Sequence, residues 1–462
     1  MGRFYLRMSK KSSKFAADLC AYGRVRALIT ILNKNCMANK LKIINDPVFG
    51  FLSVPNELIY DVLQHPYVQR LNRIRQLGLS YLVYPGAMHS RFGHSIGAMH
   101  LMQEAVTALR LKGVEITENE ATGAMIAILL HDIGHGPFSH VLEHTLVDGV
   151  THEDISLLMM ERINEDLAQK RKTESRKPLD TAIAIFRNEY PKHFLHQLIS
   201  SQLDVDRMDY LCRDSFFTGV QEGRVASERL LKMLDVRDDR LVVQVKGIYS
   251  VEKFLVARRL MYWQVYLHKT SVAAEQHLIK ILSRAKELAR GTDNSQFSTL
   301  NSPLFCSPAL RYFLYNHVTF DDFAVHSEAL DQYALLDDND VLCAIKAWIS
   351  SGDKVLSALS RSFIDRQLFR GELLDAPLTD AQKEALNKEY AEALGITEEQ
   401  AQYCWSEHIS TSNTYSEKAD SIDILYNDGT VRDIAEASEI LDLAALTRKP
   451  TKRYLFKYRL EN

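Results

Sequence analysis

Cysteine is scarce and scattered: the six in 462 residues are Cys20, Cys36, Cys212, Cys306, Cys343 and Cys404. No two form a C-x-x-C pair, which argues against a zinc ribbon, a thioredoxin-type site or a disulfide framework and fits a reducing cytoplasm. No run of eighteen apolar residues occurs, so no membrane span is expected. Excess charge is lacking as well, since 56 Lys and Arg stand against 59 Asp and Glu, for a net charge of -3. No bulk positive field is then available to hold DNA, RNA or an anionic membrane, and strong nucleic-acid binding is not expected. An anionic ligand has to be caught by a local cluster. Internal repeats and low-complexity tracts are absent too.

What is present divides into three parts. Residues 1–36 hold eight Lys or Arg against one acid, Asp18, without the long apolar core of a secretory signal. They read either as a targeting or basic binding arm or as a start assigned too far upstream, with Met37 opening a more ordinary sequence; we favour the second. Residues 37–289 read as a mainly helical core. The polar run Arg290 to Pro303 is the best boundary, and residues 290–462 read as a C-terminal helical α+β lobe with a small hairpin around Asn427-Asp428-Gly429.

Within the core, Arg91 to Leu111 has helical periodicity. Thr117 and Glu120 have capping-box spacing, and Ala124 to Leu130 is apolar all round, which predicts a central buried helix ending before Gly134. The charged stretch Glu165 to Asp180 reads as a solvated loop, and Arg240 to Tyr249 as the first good strand. Arg258, Tyr262, Tyr266 and Lys269 fall near one face of a predicted helix, where they would suit phosphates and a stacked sugar or base as well as an ordinary amphipathic surface.

Chemistry concentrates in LLHDIGHGPFSH, Leu129 to His140. Its three histidines stand where the chain average would put about 0.4. His131 and Asp132 combine an imidazole and a carboxylate, a donor set for Zn, Mn, Fe or similar ions, but two ligands do not make a site. Further donors stand at His94, three residues after Arg91 on one helix face, and at Asp206, with Arg207 beside it and Tyr210 four residues on. Gly134, Gly136 and Pro137 predict a turn that folds His135 and His140 toward the same place.

Arg91-Phe-Gly-His94, His131-Asp132 with the following Gly-His-Gly-Pro-Phe-Ser-His140, Thr151-His152-Glu153 and Asp204-Val-Asp206-Arg207-Met-Asp-Tyr210 stand in the order seen in HD-domain phosphohydrolases. From about Lys42 to Lys269 the chain resembles their dNTP triphosphohydrolase branch, including the SAM- and HD-domain dNTPase, although no SAM domain is visible.

The resemblance implies a mainly α fold with a helical HD core, and hydrolysis of deoxynucleoside triphosphates to deoxynucleoside and triphosphate by metal-activated water at the α-phosphate. It assigns His94, His131, Asp132 and Asp206 as ligands of a divalent transition metal (Fe, Mn, Zn or Ni), with or without Mg. His135, His140 and His152 become the catalytic histidines, His140 the general acid with Glu143 as its orienting partner. Gln76, Leu77, Arg91, Arg207, Tyr210, Arg258, Tyr262 and Tyr266 become substrate contacts.

It also implies a homo-oligomer, dimer or tetramer. A nucleotide activator stays open: Lys42 and Asn45 match the activator site of such enzymes, whereas Gln64 and Asn72 depart from it. The competing readings are another HD phosphohydrolase, a nucleotidase or phosphodiesterase, and a non-catalytic nucleotide- or nucleic-acid-binding regulator.

Overall fold

The segment richest in apolar residues takes the centre. In the Glu118–Leu130 helix every residue from Gly123 onward is buried. Its start is the expected capping box: Thr117 Oγ1 accepts from the Glu120 amide at 3.2 Å, and the Glu120 carboxylate accepts from the Thr117 amide at 2.7 Å. The Arg91–Leu111 and Asp180–Phe186 helices pack on it, and Val205–Thr218 packs on Arg91–Leu111. The computed structural model describes residues 42–138, 145, 147, 149–172, 177–291, 304–411, 421–440 and 451–460. The basic extension, residues 1–36, lies outside that range.

Glycine allows the closest helix approach. A Cβ at Gly97 would lie 2.0 Å from Asp209 Oδ1 and 2.1 Å from Arg213 Nη2, so the Arg91–Leu111 helix needs a bare backbone where Val205–Thr218 crosses it. Two expectations for the core are corrected. The Glu165 to Asp180 stretch is not all loop: the His152–Arg171 helix runs through its first half because Leu167 and Ala168 remain on the buried face. Strand also begins earlier than Arg240, in an antiparallel hairpin of Lys42–Asp46 with Gly50–Val54 and in Leu234–Arg237.

The C-terminal part is helical with small sheets. Thr451–Lys457 lies between Arg370–Leu374 and Trp405–Thr411 in a three-stranded antiparallel sheet. The expected hairpin forms from Asp423–Leu425 and Val431–Asp433, with Gly429 at φ +85° in its turn. It does not stand within the lobe alone. Asp423–Leu425 pairs in parallel with Val242–Gln244 of the core, extending the Leu234–Arg237 and Arg240–Gln244 pair into a four-stranded sheet. One contiguous cluster of buried apolar side chains runs from Leu52 to Phe456.

Candidate metal and phosphate site

Three helix ends meet on the face of the core where the histidines gather. Ser90 caps the Arg91–Leu111 helix, which puts Arg91 and His94 in its first turns. The Glu118–Leu130 helix stops at Leu130, so His131 and Asp132 occupy the turn that follows rather than the helix itself. Gly134 serves close packing there: a Cβ would stand 2.1 Å from the His152 carbonyl oxygen and 2.4 Å from the Ser156 amide. Ser156 Oγ accepts from the Gly134 amide at 2.9 Å and donates to the His131 carbonyl at 3.0 Å, fixing the turn to the His152–Arg171 helix. Asp204 caps the Val205–Thr218 helix and places Asp206 in its first turn.

The four proposed ligands converge. Asp206 Oδ1 lies 3.1 Å from His94 Nε2 and 3.3 Å from His131 Nε2. The two imidazole Nε2 atoms are 3.4 Å apart, and Asp132 Oδ1 is 3.3 Å from His131 Nε2. Bonds of about 2.1 Å to one ion require donors about 3.0 to 3.4 Å apart, so these separations suit a shared cation. Asp132 Oδ2, 3.8 Å from His94 Nε2, is drawn aside by an ion pair with Arg91.

Ring orientation fits too. His131 Nδ1 is 2.6 Å from the Ile128 carbonyl, and His94 Nδ1 is 2.6 Å from Asp209 Oδ2. Both partners only accept, so each ring turns Nε2 inward as a ligand atom. Burial opposes charge on His94, yet its hydrogen bonds to Asp206 and Asp209 outweigh this and push the imidazole up to about 10. Burial likewise works against ionised Asp206 and Asp132, but neighbouring histidines, and Arg91 beside Asp132, hold both carboxyls below the ordinary range. The pocket therefore favours positive charge, and its N,O donor set suits Zn, Mn, Fe or Ni.

His135 and His152 stand next to this group, stacked at 3.9 Å between ring centroids, with His135 Nε2 3.4 Å from Asp132 Oδ1. Burial, with Arg91 nearby, depresses the His135 imidazole well below its usual value and keeps the ring neutral. His140 and Glu143 lie outside the described residues.

Of the proposed substrate contacts, Arg207 and Tyr210 share the Val205–Thr218 helix with Asp206. Arg207 forms an ion pair with Asp204, and Arg258 Nη1 donates to Gln202 at 3.1 Å. Arg207 Nε, Arg258 Nε and Gln76 Oε1 are buried without a hydrogen-bond partner among the described residues. Such orphaned polar atoms are costly unless a ligand meets them. Tyr210 and Tyr262 make edge contacts with Tyr266 at 6.0 and 5.3 Å. Leu77 is half-buried on the edge of the core. The Gln76 amide bonds the His89 carbonyl at 3.0 Å.

Lys269 departs from the expected stripe. A π-helical turn, Tyr262–Tyr266, ends the Ile248–Met261 helix, and Lys269 begins the next one, so it does not continue the face of Arg258 and the two tyrosines.

Four residues around the site were not among the candidates. Asp209 backs His94, Arg213 pairs with Asp209, and Asp46 pairs with Arg213. Asp214 accepts from Tyr266 Oη at 2.8 Å and contacts His89 Nε2 at 2.8 Å. The carboxylate–arginine spacing of Asp209 and Arg213, four apart on a helix, was the available signal.

Residues 91–214 match the HD domain, and residues 225–303 match the HD associated region. The crystal structure of a phosphohydrolase from Bacteroides thetaiotaomicron is 52% identical, with a TM-score of 0.84, covering 91% of this chain and all of that one. An uncharacterized protein of Bacillus subtilis, YwfO, is 37% identical over 332 residues, 71% of each chain. The deoxynucleoside triphosphate triphosphohydrolase SAMHD1 homolog of Dictyostelium discoideum is 32% identical over 54% of this chain and 51% of its own length, so the match spans about half of that relative.

Proposed function

Since this chain belongs to the HD-domain phosphohydrolase family, we propose that it hydrolyses deoxynucleoside triphosphates to deoxynucleoside and triphosphate, with water attacking the α-phosphate. The observation that carries this reading is the convergence of His94, His131, Asp132 and Asp206, with Arg91 paired to Asp132, His135 beside it, and Arg207 following Asp206 with a buried, unpartnered Nε. A divalent ion held by those four ligands, Fe, Mn, Zn or Ni, with or without Mg, would lower the pKa of a bound water toward neutrality and offset charge on the phosphoryl group.

The protein's own groups do the rest. Arg91 holds Asp132 and adds positive charge on the phosphate side. Neutral His135, stacked on His152, offers ring nitrogens to phosphate oxygens. We assign protonation of the leaving 5′-oxygen to His140. Arg207 and Arg258 meet the remaining phosphates. Tyr210, Tyr262 and Tyr266 provide ring surfaces for sugar and base, and Leu77 with Tyr266 leaves no partner for a 2′-hydroxyl.

We place the enzyme in the cytoplasm as a homo-oligomer, dimer or tetramer, without membrane or strong nucleic-acid partners. No helix among the described residues is long and apolar enough to cross a membrane.

The test is incubation of metal-analysed protein with each dNTP, with and without a second nucleotide, followed by anion-exchange chromatography. Intact triphosphate is expected. Orthophosphate would point to another HD phosphohydrolase, a nucleotidase or phosphodiesterase, and no turnover by metal-loaded protein would point to a nucleotide-binding regulator. Sugar selectivity predicts dGTP turnover well above GTP; equal rates would remove it.

A further inference from the structure

One arginine in the interior is fully committed to carboxylates, and the carboxylates lead from the surface hairpin to the candidate metal centre. Arg213 is 1% exposed. Its Nε and Nη2 donate to Asp209 Oδ2 and Oδ1 at 2.9 and 2.8 Å, a two-point clamp. Nη1 donates to Asp46 Oδ2 at 2.7 Å. The other oxygen of Asp46 accepts from the Val48 and Phe49 amides at 3.0 and 2.8 Å, so the same carboxylate shapes the turn between Lys42–Asp46 and Gly50–Val54. Phe49 lays its ring 5.7 Å from the guanidinium, within cation–π range.

The inner end of this chain is Asp209. It is fully buried, with Oδ2 2.6 Å from His94 Nδ1. Asp206 and Asp209, three residues apart on one helix, take opposite sides of the same imidazole: Asp206 meets Nε2, and Asp209 meets Nδ1. Asp209 therefore works behind the ring, deciding which nitrogen faces the cation and at what angle. Gly97, one turn beyond His94, supplies the room, because any Cβ there would displace both Asp209 and Arg213. A buried carboxylate with one imidazole partner would be costly to hold, and the two-point clamp from Arg213 offsets that cost.

We propose that Asp209 is a positioning residue for the metal centre, locked by Arg213 and, through it, by Asp46, so that the seating of the Lys42–Val54 hairpin sets the orientation of His94. This rests on the four-ligand reading of the pocket but not on the identity of the substrate. A displacement of the hairpin would loosen the ring some distance from any group that touches the ion. Hairpin and metal affinity are coupled through a relay of side chains with few free polar atoms.

The experiment measures metal affinity by chelator competition, and the visible absorption of the Co(II)-loaded protein, for the wild type, Asp209→Asn and Asp46→Asn. Asp209→Asn keeps the shape but loses the charge and turns an amide toward Arg213. Its metal dissociation constant should rise about 10- to 100-fold, with altered Co(II) bands. Asp46→Asn, remote from the ion, should weaken binding in the same direction by a smaller factor. If Asp209→Asn does not fold, Asp46→Asn decides. Wild-type affinity and an unchanged Co(II) spectrum in whichever variant decides would overturn the proposal. Hydrolysis is scored separately: wild-type protein that binds metal but cleaves no dNTP removes the substrate reading and leaves the relay standing, whereas wild-type protein that binds no metal removes both.

Discussion

His131 shows how much of the candidate site rests on single atoms. Its Nδ1 is tied to the Ile128 carbonyl, so only Nε2 is offered to the group formed with His94 and Asp206. His131→Ala and Asp206→Ala should each reduce hydrolysis to background and lose bound metal in elemental analysis, while circular dichroism shows a helical, folded protein. Full activity in either variant would remove the ligand assignment. Residue types at this scale were legible in sequence: an unusual density of histidine, with carboxylates and arginines at helix spacing. Partners were not. That Arg91 is paired with Asp132, and that Asp209 rather than Asp206 takes His94 Nδ1, depends on how three helices cross, which no spacing within one helix states.

Among the elements, the turn after Leu130 is held from outside its own neighbourhood. Asp338, at the start of the Asp338–Trp348 helix and 1% exposed, accepts from the Phe138 amide at 3.0 Å through Oδ1. Its Oδ2 accepts from the Arg75 amide at 3.0 Å. Tyr333 Oη donates to the Gly134 carbonyl at 2.9 Å, and the buried Arg70 joins the Leu336 and Ile133 carbonyls at 3.1 and 3.3 Å. The C-terminal lobe thus braces the backbone that carries His135, with Phe138 at φ +53°. Asp338→Ala strands the buried Phe138 amide, frees the part-buried Arg75 amide and breaks the ion pair with Arg75, and should cost about 3 to 5 kcal/mol in urea unfolding. Asp338→Asn, which keeps an accepting oxygen, should cost less. Equal stability of Asp338→Ala and wild type would show that the brace contributes nothing.

For the whole molecule, the Lys269–Arg290 helix packs on Lys354–Ile364, Pro308–Tyr315 and Arg370–Leu374, and His277 on it reports on that packing. The ring is fully buried, stacked on Phe369 at 4.3 Å, with Nε2 3.0 Å from the Leu359 carbonyl. Nδ1 has no hydrogen-bond partner among the described residues. Burial lowers the imidazole to about 3, against an ordinary value of 6.5. Below 6.5 the unfolded chain takes up a proton that the native protein refuses until about 3, so the contribution is fully present above 6.5 and declines as pH falls. The decline approaches about 1.4 kcal/mol per pH unit. Unfolding free energies between pH 6.5 and 4.5 should therefore fall less steeply in His277→Gln, and parallel slopes would refute the assignment.

The sequence by itself determined what is local in physics: the Thr117 capping box, the apolar run that buries the Glu118–Leu130 helix, the Asn427-Asp428-Gly429 turn, and the motifs that marked an HD-domain core. The first three depend on hydrogen bonds or periodicity within a few residues; the motifs were legible through their resemblance to a known family. Tertiary structure alone decided that the late hairpin adds in parallel to a core strand, that a π-helical turn separates Lys269 from Arg258, and that Asp46 reaches His94 through Arg213 and Asp209. The reason is the same in each case: those pairings join residues distant along the chain, or depend on backbone geometry that only packing selects.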